Sequence, residues 1–269
     1  MKQRIITGAL YAAVLLLVLI FRRWLLAPAL EIAALLCCFE MLRAFNKKGL
    51  RPAKVLTLIC AALPVPAAFL GGGSGAFAFC CFALFLLLVC HLFRASPSLP
   101  DTASALLSAT YASVPLALLC AVLRVENRAA GGLLIAAAFL FAYAGDVLAY
   151  FSGFLFGKHL MAPNLSPKKT WEGAAGGILG SLLTGSALYG IGRRYLSAPF
   201  VFWHMILLAL FCAVAEQVGD LTASLIKRYC GVKDYGNLFP GHGGMMDRMD
   251  SVFFTAFAVY VYCHLAAFL

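Results

Sequence analysis

Charge is what this 269-residue chain has least of: 12% of its residues are Asp, Glu, Lys or Arg, about half the share an ordinary soluble domain carries. No stretch is polar enough to fold as a separate soluble globule, so a second, water-soluble domain is excluded and one membrane domain over 1–269 is expected. Its N-terminal helical part would be 1–130 and its catalytic part 131–269. The ten cysteines lack CxxC spacing: Cys37/Cys38 and Cys80/Cys81 are adjacent pairs in apolar runs, and the others stand alone. That argues against zinc ligands and disulfides and for small apolar fillers. The apolar stretch Ile5 to Phe21 lacks a small-residue cleavage site, so it reads as a retained helix rather than a signal peptide. Period-2 alternation is missing too, which excludes a membrane barrel. There is no internal repeat and no low-complexity segment.

What is there is apolar: 63% of the residues are hydrophobic and the mean hydropathy is +0.93. A helix needs about 20 apolar residues to cross the hydrocarbon core. Runs of that kind lie at 5–21, 25–44, 54–71, 75–93, 103–123, 131–156, 173–192, 199–219 and 249–268. Backbone groups in lipid must be satisfied within the segment, so these are helices. The expected fold is therefore all-α and polytopic, with about nine transmembrane helices. A cytoplasmic N-terminus would place fifteen of the 21 Lys and Arg inside, among them the basic loop Arg43, Lys47, Lys48, Arg51 and Lys54. The positive-inside rule thus favours an N-in, C-out topology. The net charge of +10 sits at helix ends and loops, where it meets anionic headgroups or a polyphosphate rather than nucleic acid.

Acidic residues are also scarce, eleven in all, and seven of them follow residue 145. Of the early four, Glu31 and Glu40 lie inside an apolar span, where pairing with Arg or Lys of neighbouring helices is expected. The later seven fall in three polar clusters. Asp146 sits in the apolar run GDVLAYFSGFLFGK; alone, it reads equally well as a satisfied helix residue. In SPKKTWEG, Pro167 begins a turn, and Lys168 and Lys169 stand at the mouth of a helix that Thr170 or Ser166 can cap. A helix N-terminus attracts phosphate, although basic anchoring alone would also explain the lysines. The third cluster runs from Glu216 to Asp250. Glu216, Asp220, Ser224 and Lys227/Arg228 recur every three or four residues and share one helix face. Between Ser224 and Asp250 the chain packs four Lys/Arg, three Asp, one His and five Gly, a density that is costly beside lipid unless it handles a polar substrate. A glycine-rich backbone lets N–H groups close on phosphate oxygens, and oxygen-only Asp ligands suit Mg²⁺ or Mn²⁺ rather than zinc.

The run S-x-x-K-R-x4-K-D-x-G-x2-F-P-G-H-G-G-x2-D-R-x-D passes through Ser224, Lys227, Arg228, Lys233, Asp234, Gly236, Phe239, Pro240, Gly241, His242, Gly243, Gly244, Asp247, Arg248 and Asp250. It resembles the signature of the phosphatidate cytidylyltransferase (CDP-diacylglycerol synthase) family, bacterial type, and the likeness extends over roughly residues 140–260. The resemblance implies the Mg²⁺-dependent reaction of CTP with phosphatidate to give CDP-diacylglycerol and pyrophosphate, in a multi-pass protein of the inner (cytoplasmic) membrane with its active site facing the cytoplasm. Two divalent ions, or one with a monovalent cation, would hold the triphosphate. Asp220 and Asp247 match the family's paired acidic positions and are the first metal ligands to expect, with Asp250 and Asp146 next. Lys168, Lys169, Lys227, Arg228, Lys233 and Arg248 would neutralise phosphates. Ser224, His242 and the backbone of Gly243 and Gly244 would hold phosphate oxygens, His242 being also a candidate acid for the leaving group. A homodimer is implied by the resemblance alone. A CTP-dependent lipid-alcohol kinase would not match the full run, and a CDP-alcohol phosphotransferase would show a D-G-x2-A-R motif that is missing. A transporter would duplicate its charged clusters in two halves. The expected site draws Asp146, Lys168 and Lys169 to the signature by folding.

Overall fold

The computed structural model describes residues 13–14, 16–196 and 198–266. They form α1 (Arg22–Lys47), α2 (Lys54–Ala61), α3 (Pro64–Leu92), α4 (Leu99–Thr110), α5 (Ser113–Ala121), α6 (Arg128–Phe156), a hairpin of β1 (Leu160–Ala162) and β2 (Ser166–Thr170), then α7 (Trp171–Tyr195), α8 (Phe202–Tyr229) and α9 (Met246–Leu265). Among the described residues six helical stretches are long and apolar enough to cross a membrane: Trp24–Lys47, Pro64–Leu92, Leu99–Arg124, Arg128–Phe156, Trp171–Tyr195 and Phe202–Tyr229. At about 1.5 Å per residue each exceeds the ~30 Å hydrocarbon core. The protein is a polytopic, multi-pass helical membrane protein.

The count of nine is not reproduced. Most of the span expected at 5–21 lies outside the described residues. The spans expected at 54–71 and 75–93 are divided differently. A short α2 of eight residues ends at Ala61, and α3 restarts with Pro64 in its first turn, where a missing N–H costs no helical bond. α3 then runs on past Gly72, whose φ of 67° and ψ of −153° kink it. The last helix, α9, carries Asp247, Arg248 and Asp250 in its first five residues, which keeps it out of the apolar set. The hairpin is an addition to the all-α expectation. SPKKT pairs as a strand, with Leu160 opposite Thr170 and Ala162 opposite Ser166, instead of forming only a turn at Pro167.

The chain divides into two compact units, Met1–Ala121 with Ile226–Met249, and Val122–Leu225 with Asp250–Leu269. The signature segment therefore clusters with the N-terminal helices rather than with the other C-terminal residues. In the first unit small side chains fill the core, with Cys60, Ala83, Leu87, Ala105 and Ala109 in one cluster and Cys38, Leu42 and Ala61 in another. All ten cysteines are free. The basic loop after α1 is tied down by Asp101, whose Oδ1 accepts the Arg51 N–H at 2.7 Å, and by Arg94, which donates to the Arg51 carbonyl at 2.7 Å.

In the second unit α6 and α7 lie backbone to backbone. A Cβ on Gly173 would stand 2.9 Å from the Ala149 carbonyl oxygen, and one on Gly180 would stand 2.8 Å from that of Ala144. Gly176 between them faces the Ser152 side chain. Small residues at this spacing let membrane helices approach closely, where dispersion and packing rather than water exclusion hold them. Thr170 caps α7, its Oγ1 accepting the Gly173 N–H at 3.1 Å, which settles the choice between Thr170 and Ser166.

Candidate functional site

In the first unit the polar residues gather on Asp247, in the first turn of α9. Its Oδ1 receives the Lys227 Nζ at 3.0 Å, and its Oδ2 accepts the backbone N–H groups of Tyr235 at 2.9 Å and Gly244 at 3.0 Å. The Asp247 side chain is 5% exposed and that of Lys227 15%. The Lys227 ammonium also lies 5.6 Å from the centre of the Tyr235 ring, within cation–π range. The loop between is closed by Phe239 N–H to the Gly243 carbonyl at 2.9 Å and His242 N–H to the Phe239 carbonyl at 2.8 Å. Gly241 and Gly243 have φ of 79° and 85°, a left-handed backbone that glycine adopts without strain. A Cβ on Gly243 would also stand 2.8 Å from Asp247 Oδ2. Arg228 and Lys233 are exposed, and His242 and Arg248 are half-buried. The His242 Nδ1 is buried with no hydrogen-bond partner among the described residues.

Glu40 of α1 belongs to this cluster, and the sequence reading gave it a different partner. Its Oε1 accepts the Met245 N–H at 3.1 Å and its Oε2 the Met246 N–H at 2.8 Å. Backbone amides, not the expected Arg or Lys, satisfy it. The segment 244–246 thus donates three consecutive N–H groups to two carboxylates.

In the second unit the Lys169 Nζ sits 2.5 Å from Asp220 Oδ2, and the Ser224 hydroxyl donates to Asp220 Oδ1 at 3.5 Å. Asp146, Lys168, Lys169, Thr170, Glu216 and Gln217 line a pocket of about 550 Å³, flanked by Tyr150 and Phe154. Gln217 Nε2 donates to the Ala174 carbonyl at 3.1 Å, fastening α8 to α7. Glu216 is 1% exposed and neither of its buried carboxylate oxygens has a hydrogen-bond partner among the described residues. A Cβ on Gly145 would overlap that carboxylate, so glycine is what leaves room for it. Asp250 is buried and its Oδ1 accepts the Ser251 N–H at 2.9 Å.

Folding therefore seats Lys169 on Asp220, and Lys227 and Gly244 on Asp247, and it brings Asp146 and Lys168 to one pocket. Sequence reasoning left Glu40 without its role and Glu216 as one member of a charged stripe. The only sequence sign for either is a carboxylate within an apolar helix. Among the described residues no group of three or more His, Cys, Asp or Glu side chains is gathered to hold a metal ion. The donor chemistry nevertheless fits Mg²⁺, which takes one or two carboxylates plus substrate phosphates and water rather than a full protein cage. Lysine ammonium groups already stand on Asp220 and Asp247 where a cation would, and Asp247 Oδ1 keeps a lone pair beside Lys227.

These features define a class: a polytopic helical membrane protein with carboxylate–ammonium pairs, one of them on a buried carboxylate and the other half-buried, a glycine-rich loop and a polar pocket. The chain matches the cytidylyltransferase family over residues 2–266, and it belongs to that family. Among curated relatives, a phosphatidate cytidylyltransferase of Mycobacterium bovis is 43% identical over 122 residues, 44% of this chain and 37% of the relative. That of Synechocystis sp. is 43% identical over 139 residues, 51% of this chain and 45% of the relative. That of Brucella abortus is 40% identical over 130 residues, 46% and 45% respectively. The chain thus spans less than half the length of the curated relatives it matches.

Proposed function

We propose that this protein transfers the cytidylyl group of CTP to phosphatidate, releasing pyrophosphate and forming CDP-diacylglycerol, at the cytoplasmic face of the inner membrane, and that it works as a homodimer. A phosphate oxygen of the lipid attacks the α-phosphorus of CTP. The new P–O bond forms there as the bond to the β-phosphate oxygen breaks, and pyrophosphate departs with the electron pair. The lipid supplies the nucleophile, so the protein's task is positioning and charge neutralisation. The observation that carries the reading is the Asp247 cluster: a buried carboxylate–lysine pair clasped by a glycine loop, in a chain of the cytidylyltransferase family.

The residues divide by what they can do. Lys227, Arg228, Lys233 and Arg248 offset phosphate charge near the glycine loop, and Lys168 and Lys169 do so at the pocket. The unpartnered His242 Nδ1 is available to a phosphate oxygen. Asp247 in the first unit and Asp220 in the second are the carboxylates that would hold Mg²⁺, and Asp146 and Asp250 are further candidates. When bound, the ion would neutralise the triphosphate and the leaving pyrophosphate. Tyr150 and Phe154 give the pocket an apolar flank that suits a substrate with acyl tails.

The test is purified protein in lipid nanodiscs with Mg²⁺ and CTP labelled at the α- or the γ-phosphate, offered phosphatidate or a polyprenol. The expected product is a lipid carrying the α-label, made from phosphatidate only. Transfer of the γ-label to the polyprenol, or no lipid product at all, would sink the proposal.

A further inference from the structure

A carboxylate inside an apolar membrane helix is costly without partners, by several kcal/mol when it is charged. Glu40 is 5% exposed and spends both oxygens at the start of another helix, on the N–H groups of Met245, just before α9, and Met246, its first residue, 205 and 206 residues away. The first amides of any helix lack intrahelical acceptors, and most helices supply a Ser, Thr, Asp or Asn just before the first turn. α9 is preceded by Gly243, Gly244 and Met245, none of which has such a side chain. Its cap is imported from α1. The surrounding chain is cut to fit: a Cβ at Gly236 or at Gly244 would overlap the Glu40 carboxylate. Gly244 does not have a left-handed φ, so the room for Glu40, and not backbone strain, is what calls for glycine there. The residue after the capped pair is Asp247, which receives the N–H of Gly244, the residue before that pair.

We infer that Glu40 is a positioning residue for the reaction: by capping α9 from α1, it fixes the first turn that aims the Asp247 carboxylate. The inference rests on the cytidylyl-transfer reading above. Both Glu40 oxygens are taken by the Met245 and Met246 amides, so the residue acts through Asp247 and not on the reacting atoms. Its loss leaves the Met245 and Met246 amides without their acceptors, and the first turn that carries Asp247 shifts with them.

The experiment compares wild type, Glu40→Gln, Gly244→Ala, Glu40→Ala and the double variant Glu40→Ala/Gly244→Ala in nanodiscs, reading kcat, KM for CTP and phosphatidate, and melting temperature. Glu40→Gln keeps the size but sets an NH₂ against a backbone N–H. It should lower kcat by roughly 30-fold while both KM values stay within about twofold, the pattern of lost transition-state positioning. Its melting temperature should fall by no more than about 5 °C. Gly244→Ala should lower kcat by roughly 10-fold in the wild-type background and by less than about threefold in Glu40→Ala, where the methyl has room, a coupling that independent sites would not show. Glu40→Gln turning over within about threefold of wild type overturns the inference. So does an equal Gly244→Ala penalty in both backgrounds, or activity lost only in step with folded protein. Should the Glu40 variants not fold, full kcat in Gly244→Ala overturns it alone. An inactive wild type removes the cytidylyl-transfer reading and this inference together, whereas an active wild type with indifferent variants removes only this one.

Discussion

Two glutamates lie buried in membrane helices of this protein, and their surroundings are opposite. Glu40 has each carboxylate oxygen on a backbone amide, while Glu216 has both oxygens buried without a hydrogen-bond partner. Leaving such a group unsatisfied is costly, more so when it is charged. A carboxylate that is fully partnered organises its neighbours. The one left open lines a pocket together with Lys168, Lys169 and Asp146. Glycines enforce both arrangements, Gly236 and Gly244 around Glu40 and Gly145 against Glu216. In each unit the chain gave up side-chain volume to keep a carboxylate in place.

The sharpest test of the contrast is at the partnered cluster. Asp247→Asn should remove turnover by roughly a thousandfold or more, since the metal and phosphate interactions proposed for it would act mainly in the transition state. Membrane insertion and gel-filtration profile should stay normal; full activity would end the assignment of Asp247 as a metal ligand. Next in size, Lys169→Ala should reduce kcat/KM by about 100-fold, read with labelled CTP. Part of that loss comes from Asp220 being left without its ammonium partner. An unchanged kcat/KM would make the Lys169–Asp220 pair a structural strut only.

Glu216→Gln bears on the comparison itself. It should lower kcat by about 10-fold and leave the melting temperature unchanged or raised, because an unpaired buried carboxylate contributes no stability. If stability drops and activity holds, Glu216 is a purely structural residue and the contrast collapses. A smaller effect is expected from Gly145→Ala, destabilising by about 1–3 kcal/mol through overlap with that carboxylate. Thermal melts should show much of the loss recovered in Glu216→Ala/Gly145→Ala. The smallest is Thr170→Ala, at about 1 kcal/mol for the lost cap of α7, visible as a modest melting shift with kcat retained.

Much of this was legible in the chain. Long apolar runs announced a helical membrane protein, and the charge-dense signature announced where polar chemistry concentrates. Asp220, Lys169, Lys227 and Asp247 were all readable as candidates. Their pairing was not, because Lys169 meets Asp220 only after the β1–β2 hairpin folds SPKKT back. That hairpin hid behind Pro167, which reads as a turn. The spans at 54–71 and 75–93 were misdivided because hydropathy does not register that Pro64 starts a helix and that Gly72 kinks it. Gly244 was legible as necessary, for the sake of phosphate. In the fold its N–H is taken by Asp247 and its missing Cβ makes room for Glu40.

The sequence by itself determined the class of protein and the identity of the polar residues, since membrane burial penalises charge so heavily that whatever charge remains is conspicuous. Tertiary structure alone decided which partner each charge takes. Glu40 could meet any of the basic residues expected around it; folding instead gave it two main-chain amides that no side-chain pattern encodes. Backbone N–H groups are the same at every residue but proline, so their use leaves no mark in a sequence except the glycines that make way for it.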